Sequence, residues 1–336
     1  MSSTTTTTAT ATVTDTKPYA FGHISTTALE PIKIGSLTCK PLHPTFGAEI
    51  EGIDFTKPVP AEQIKDVIEA QNRFGVTVYR NTGLTDESHI AFSRQLGTLE
   101  KVPKFRGPNV PDRFGYPELF DAGNTNLDGT IVQNGSRRWW YNKGNALWHT
   151  DSSFNQHRSK YSILLAHQVP KEGGDTNFAD VRHAYRDLPE DRKAKLRGLV
   201  CKHDLWHSRK LAAPEEFASI TEHEANSKPP AYHKLVQTAP DGEETLYIAA
   251  HAAEVVGMPK DQGFKLITEL IDYCTQPQNT LSVKWHQPGD LVFWDNRASM
   301  HRATPFSDQM EVRDMRRTTV FDDGPDKDGI PDAARS

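Results

Sequence analysis

Apolar positions recur along this chain with two periods, and the period decides what each stretch can form. "GVTVYR" at 75–80 and "YSILLA" at 161–166 have the alternation and length of strands. "HQPGDLVFWDN" reads as a Pro-Gly turn feeding a strand at 291–294, and "RRTTVF" at 316–321 is a β-branched strand close to the C-terminus. Helical spacing appears elsewhere. Val181, Ala184, Tyr185 and Leu188 follow i, i+3, i+4, i+7 behind Asp180 as a cap, with Pro189 as the stop. Phe264, Ile267, Ile271 and Cys274 form a second stripe, and both stripes are assigned to the core. No internal repeat or compositional break divides the chain. The pattern alone predicts a single domain over 21–323, either α+β or with an all-β core.

The ends differ from this. "MSSTTTTTATATVTDTK" is a threonine tract without the layout of a secretory signal or the arginines of a mitochondrial presequence. Residues 1–20 are expected to be a disordered tail, and 324–336, polar and broken by Gly and Pro, a flexible one. Composition then narrows the function. A formal charge of -5 over 336 residues argues against a general nucleic-acid binder. No apolar run reaches membrane-spanning length. Cys39, Cys201 and Cys274 lie far apart in no metal or redox spacing, which predicts idle thiols in a reducing, cytoplasmic setting. The oligomeric state is left open, a homo-oligomer included. Dinucleotide, Walker-type and serine-hydrolase glycine motifs are all missing. Metal chemistry remains.

"ALWHTDSSF" at 146–154 places His149 and Asp151 two residues apart. If extended, they share a face about 6.6 Å apart, and a neutral nitrogen with an anionic oxygen can close on one divalent metal. With 14 histidines in the chain, the pair alone reads better as a surface His–Asp contact. His301, in "WDNRASMHRATPF", sits near a predicted strand end and can complete a 2-His-1-carboxylate set; an ordinary loop histidine has the same spacing. In "EVRDMRRTTV" an extended backbone puts Arg313, Met315 and Arg317 on one face, the two arginines about 13 Å apart. Such guanidiniums suit bidentate capture of carboxylates, although a solvated ion-pair face with Asp314 and Glu311 is the commoner arrangement. "KEGGDTNFAD" adds a Gly173-Gly174 turn and the hydroxyl of Thr176, which can donate to a carboxylate.

"LWHTDSSF", "YSILLAHQVPKEGGDTNFADVRHAYRDLP", "PGDLVFWDNRASMHRATPF" and "RDMRRTTVF" together resemble the taurine/2,4-dichlorophenoxyacetate dioxygenases, which depend on iron(II) and 2-oxoglutarate. The resemblance runs from about residue 36 to 322 and is strongest with the 2,4-dichlorophenoxyacetate branch. It implies a mainly β fold with flanking helices, a double-stranded β-helix or cupin-like jelly roll. It also implies Fe(2+) on His149, Asp151 and His301, with 2-oxoglutarate and O2 as cosubstrates. Thr176 matches the residue that bonds a 2-oxoglutarate carboxylate, and Arg313 the one that pairs with its distal carboxylate. Arg317 matches the arginine that reaches the substrate's acidic group; a structural pair with Asp322 or Asp323 is its alternative. The implied reaction hydroxylates a small anionic organic molecule and releases succinate and CO2. An aryloxyalkanoate-like carboxylate is favoured, with xanthine or a sulfonate as alternatives. A zinc hydrolase would use the same three ligands but has no need of Thr176 and Arg313, and a non-catalytic jelly-roll binding protein is the rival outside catalysis. Residues 102–145 depart most from the family pattern and are expected to help form a substrate lid. Trp139, Trp140 and Phe154 offer aromatic surface near the site, read first as lid and core packing.

Overall fold

The computed structural model describes residues 29–101, 113–240 and 242–331. The expected tail at 1–20 lies outside them, as do 102–112 of the divergent segment and 332–336. The predicted strands meet side by side. Leu291–Asp295 pairs antiparallel with Val76–Tyr79 on one edge and Ser159–Gln168 on the other, and Ser159–Gln168 pairs in turn with Asp314–Phe321. They form the centre of an eight-stranded sheet that continues outward through Ala48–Glu51, Leu37–Pro41 and Ile32–Ile34 on one side and Phe120–Asp121 on the other. A smaller sheet holds Thr280–Val283, Thr176–Asp180 and Ser299–Ala303, with Thr176–Asp180 in the middle.

Alternation along Ser159–Gln168 sorts its side chains onto two buried faces. Tyr161, Ile163 and Leu165 pack with Ile64, Val67 and Phe74 of the helix Ala61–Phe74 and with Ile90 and Phe92 of the helix Asp86–Arg94. Leu164 and Ala166, with Val78, Val292, Trp294 and Met315, pack on Phe178 and Val283 of the small sheet. Two sheets enclosing one core, with helices over the outer face of the larger, make a jelly roll of the expected kind. Both faces are covered, which explains why the central strand reads as an apolar run.

The capped helix forms at Val181–Arg186, and Asp180 accepts from the amides of Arg182 and His183. The second helix, Lys260–Cys274, corrects the predicted stripe. Its buried side is Gly263, Leu266, Ile267, Leu270, Tyr273 and Cys274, while Phe264 is exposed and lies edge-on to the His207 ring. Gly263 faces inward, where a Cβ would stand a tight 3.0 Å from the backbone nitrogen of Val255, so glycine eases the close approach of helix and strand. His301 lies within the strand Ser299–Ala303 rather than beside a strand end. Beyond the last long strand, the stretch up to Ile330 is tied down despite its composition. Arg158 donates its amide to Lys327, Gly329 to Gln156 and Ile330 to Tyr232. All three cysteines are buried and free. No helix among the described residues is long and apolar enough to cross a membrane.

Candidate metal centre and its cavity

His149 joins the fold by a single bridge. Its amide donates to the carbonyl of His301 at 2.9 Å and receives the reciprocal bond at 2.8 Å, which sets the two imidazoles with centroids 4.2 Å apart. The chain then leaves extended geometry. Asp151 opens a turn, and Ser152 has φ 59, a left-handed conformation uncommon outside glycine. This turn swings the carboxylate of Asp151 toward the two rings. His149 Nε2 lies 4.0 Å from Asp151 Oδ1 and His301 Nε2 3.7 Å from Oδ2. One ligand atom from each of the three falls within 4.8 Å of the others, and all three residues are buried. The arrangement is that of three ligands on one side of a divalent ion.

The protonation states suit a cation. Burial holds both imidazoles below their ordinary range, His301 well below it, so both are neutral with lone pairs available. The Nδ1–H of His149 donates to Leu147 O at 2.7 Å, which fixes the tautomer and leaves Nε2 bare. Burial alone would raise the pKa of Asp151, but the guanidinium of Arg317, helped by the two histidines and Ser162, brings it down to about 2. Ser162 donates to Asp151 Oδ2 at 2.7 Å. Asn296 accepts from the amide of Asp151 and from the indole of Trp294, and it donates to Ser159 and Ser162. Two imidazoles and one fixed carboxylate are the donor set of a non-haem Fe(II) site, and the residues present fit that ion.

A cavity opens over the triad. Thr176, Ala303, Arg313, Arg317, Leu164 and Thr319 line its strand side. Thr176 Oγ1 accepts from the Trp285 indole at 3.2 Å, so its own proton is free to donate. Arg313 lies beside the same indole, 5.9 Å from the ring, and among the described residues its guanidinium donates to the carbonyls of Gly174 at 3.1 Å and Ala122 at 3.4 Å. Burial pulls its pKa down to about 10 against the attraction of Asp175, and it remains charged at neutral pH. The Gly173-Gly174 turn brings this carbonyl up to the arginine with φ 74 and 70. Arg317 donates through Nη1 to Asp151 Oδ1 at 2.6 Å and lies over the Phe120 ring. The alternative partners are engaged elsewhere: Asp322 with Arg158 and Arg297, Asp323 with Lys160.

The sequence-predicted residues His149, Asp151, Thr176, His301, Arg313 and Arg317 all line this one cavity, together with Phe154. Trp139 and Trp140 do not; they pack edge-on against each other, and Tyr141 contributes the aromatic wall. From the divergent segment, Phe120, Ala122, Tyr141 and Asn145 also reach the cavity. Sequence reading missed Ser162, Asn296, Trp285, His251 and Arg209. Of these only Asn296 left a trace, as an amide directly following the apolar strand "LVFWD".

Comparison with known proteins accords with this geometry. The family model described as taurine catabolism dioxygenase TauD, TfdA family matches residues 38–319. The chain is 38% identical to an alpha-ketoglutarate-dependent 2,4-dichlorophenoxyacetate dioxygenase of Cupriavidus pinatubonensis, over 86% of this chain and 99% of that protein. It is 32% identical to an (S)-phenoxypropionate/alpha-ketoglutarate-dioxygenase of Sphingobium herbicidovorans, over 84% and 94% respectively. Among solved structures, AAD-2 in complex with Mn(II) and N-oxalylglycine superposes with a TM-score of 0.78 at 34% identity, covering 86% of this chain and 98% of AAD-2. The chain therefore belongs to the TauD, TfdA dioxygenase family.

Proposed function

We propose that the protein is an Fe(II)- and 2-oxoglutarate-dependent dioxygenase that hydroxylates a small aryloxy carboxylic acid. The observation that carries this reading is the buried His149–Asp151–His301 triad with Arg313 and Thr176 in the same cavity. His149, Asp151 and His301 would hold the iron, which when bound supplies activation of O2 coupled to oxidation of 2-oxoglutarate to succinate and CO2. The chain's own contribution is placement. Neutral imidazoles and an ionised Asp151 present three donors from one side and leave the cavity side open. Arg313, buried and bonded only to carbonyls among its described partners, takes the distal carboxylate of the cosubstrate, and the Thr176 hydroxyl donates to a cosubstrate carboxylate. Arg317 already spends Nη1 on Asp151, and its Nε is buried without a partner; its remaining edge faces an anion beside the metal, the acidic group of the substrate. A zinc hydrolase would have no use for Arg313 held in this way.

The test is O2-dependent succinate formation from 2-oxoglutarate by the Fe(II)-loaded protein, with and without a panel of phenoxyacetates, phenoxypropionates, alkyl sulfates, taurine and xanthine. Stimulation by the aryloxy acids is expected. Stimulation by xanthine, taurine or a sulfate ester alone would replace the substrate class, and the absence of succinate under all conditions would overturn the dioxygenase reading.

A further inference from the structure

Burying a guanidinium away from water is costly unless an anion or a set of acceptors replaces the lost hydration. The described residues include five buried arginines: Arg158, Arg182, Arg192, Arg209 and Arg313. Three meet a carboxylate: Arg158 with Asp322 at 2.9 Å, Arg182 with Asp180 at 3.3 Å and Arg192 with Glu269 at 2.7 Å. The other two, Arg313 and Arg209, do not, and both line the cavity over the metal triad. Arg313 at least donates to two carbonyls. Arg209, 6% exposed, has a buried Nε without a hydrogen-bond partner among the described residues, and its guanidinium lies over the Tyr141 ring, 4.3 Å from the centroid.

The local sequence explains how a charge came to be there. The helix Leu205–Ala212 is started by Asp204, which accepts from the amides of Trp206 and His207. Its buried positions are Leu205, Ser208 and Arg209, the i, i+3, i+4 set of one face. Leu205 and Arg209 line the cavity, and Ser208 bonds His251 Nδ1 at 2.8 Å behind it. His251 in turn lies 5.7 Å from the His149 ring. The face that should be apolar thus brings an arginine to the cavity that the triad lines. Gly144 gives it room, since a Cβ at 144 would collide with the Arg209 guanidinium. This wall of the cavity, with Tyr141, Phe154 and Leu205, comes from helices and loops, opposite in origin to the strand wall that carries Thr176 and Arg313.

We infer that Arg209 is a second receptor for the organic substrate: its guanidinium joins Arg317 in taking that molecule's oxyanion, with Tyr141, Phe154 and Leu205 against the apolar remainder. The inference rests on the proposed dioxygenase reading and goes beyond it by assigning the substrate's acid a binding partner outside the family resemblance. Bidentate capture of a carboxylate would satisfy the buried Nε that has no partner among the described residues.

The test uses the Mn(II)- and N-oxalylglycine-loaded protein and calorimetric binding of 2,4-dichlorophenoxyacetate, 2-phenoxypropionate, dodecyl sulfate and the methyl ester of each carboxylic acid. The wild type should prefer acid over ester by at least ~30-fold, as expected for a buried charge pair. Arg209→Gln should cut that preference by about 10-fold, with Arg317 holding the rest, and Arg209→Lys should lose less because a point charge replaces the fork but keeps the charge. Gly144→Ala, which keeps the charge but displaces the guanidinium, should weaken acid binding in the same direction and serves if Arg209→Gln does not fold. An unaltered acid-over-ester preference in folded Arg209→Gln or in Gly144→Ala overturns the inference and leaves the dioxygenase reading untouched. A wild-type enzyme that forms succinate but binds none of these acids overturns the inference together with the aryloxy substrate class. Failure of the dioxygenase reading itself shows separately, as absence of succinate.

Discussion

At the scale of single residues, the site depends on keeping one carboxylate ionised and two imidazoles neutral at buried positions. Asp151 accepts from Arg317 and Ser162, and its backbone is held by Asn296. His149→Ala should abolish both Fe(II) binding and 2-oxoglutarate turnover; a variant with wild-type metal affinity by competition titration would remove His149 from the ligand set. Asn296→Ala leaves every proposed ligand in place but releases Ser162 and the Asp151 turn. It should lower metal affinity by roughly 10–100-fold, the usual cost of losing an outer partner of a ligand, and an unchanged titration would show that the network is not needed. Arg313→Ala should raise the apparent constant for 2-oxoglutarate by roughly 30-fold or more while metal binding persists, because a charge-assisted, bidentate contact is lost. Unchanged cosubstrate dependence in steady-state kinetics would refute its role.

At the scale of elements, short connections do much of the aiming. The Gly173-Gly174 turn is one: a Cβ on Gly174 would stand 2.8 Å from Pro170 Cγ and 3.3 Å from Arg313 Cδ, on a backbone with φ 70. Gly174→Ala should destabilise the fold by about 1 kcal/mol or more and raise the constant for 2-oxoglutarate, since Arg313 must shift; a variant with normal melting and normal kinetics would contradict this. The strands around the site were legible in the sequence because their period or apolar run is long, and the His-x-Asp, distant-histidine and double-arginine spacings survive in the primary order. The outer partners were not legible. Asn296 reaches Asp151 across 145 positions, and Ser162 reaches that residue's carboxylate across 11, distances along the chain that no local pattern encodes. Arg209 reads locally as one more helical charge for solvent, and only tertiary packing turns it inward. Phe264 failed for the opposite reason. Several apolar residues of its helix allowed more than one stripe, and the closeness of Gly263 to Val255 chose between them.

At the scale of the whole molecule, the fold buries several histidines that the proposed mechanism does not use. Burial lowers the pKa of His89 and of His233 to about 4, and that of His203 well below its ordinary value. Their folded values lie below the unfolded value of about 6.5, so the unfolded chain binds more protons between those limits. Stability should therefore be fully present above about pH 6.5 and fall as pH drops toward 4, with His89 and His233 each contributing up to roughly 3 kcal/mol across the window. Urea unfolding of the chelator-treated protein checks this. A midpoint that is flat or rising from pH 6.5 down to 4.5 would contradict the burial of these rings as neutral species.

The claim that joins the scales is that one cavity splits O2 between 2-oxoglutarate and an organic acid. Turnover under 18O2 with Fe(II), 2-oxoglutarate and an accepted aryloxy acid tests it most directly, by mass spectrometry of the succinate. The account predicts one 18O atom in each succinate formed, with no succinate when O2 or iron is withheld. Succinate without label, or product formed from the acid in the absence of O2, would contradict it.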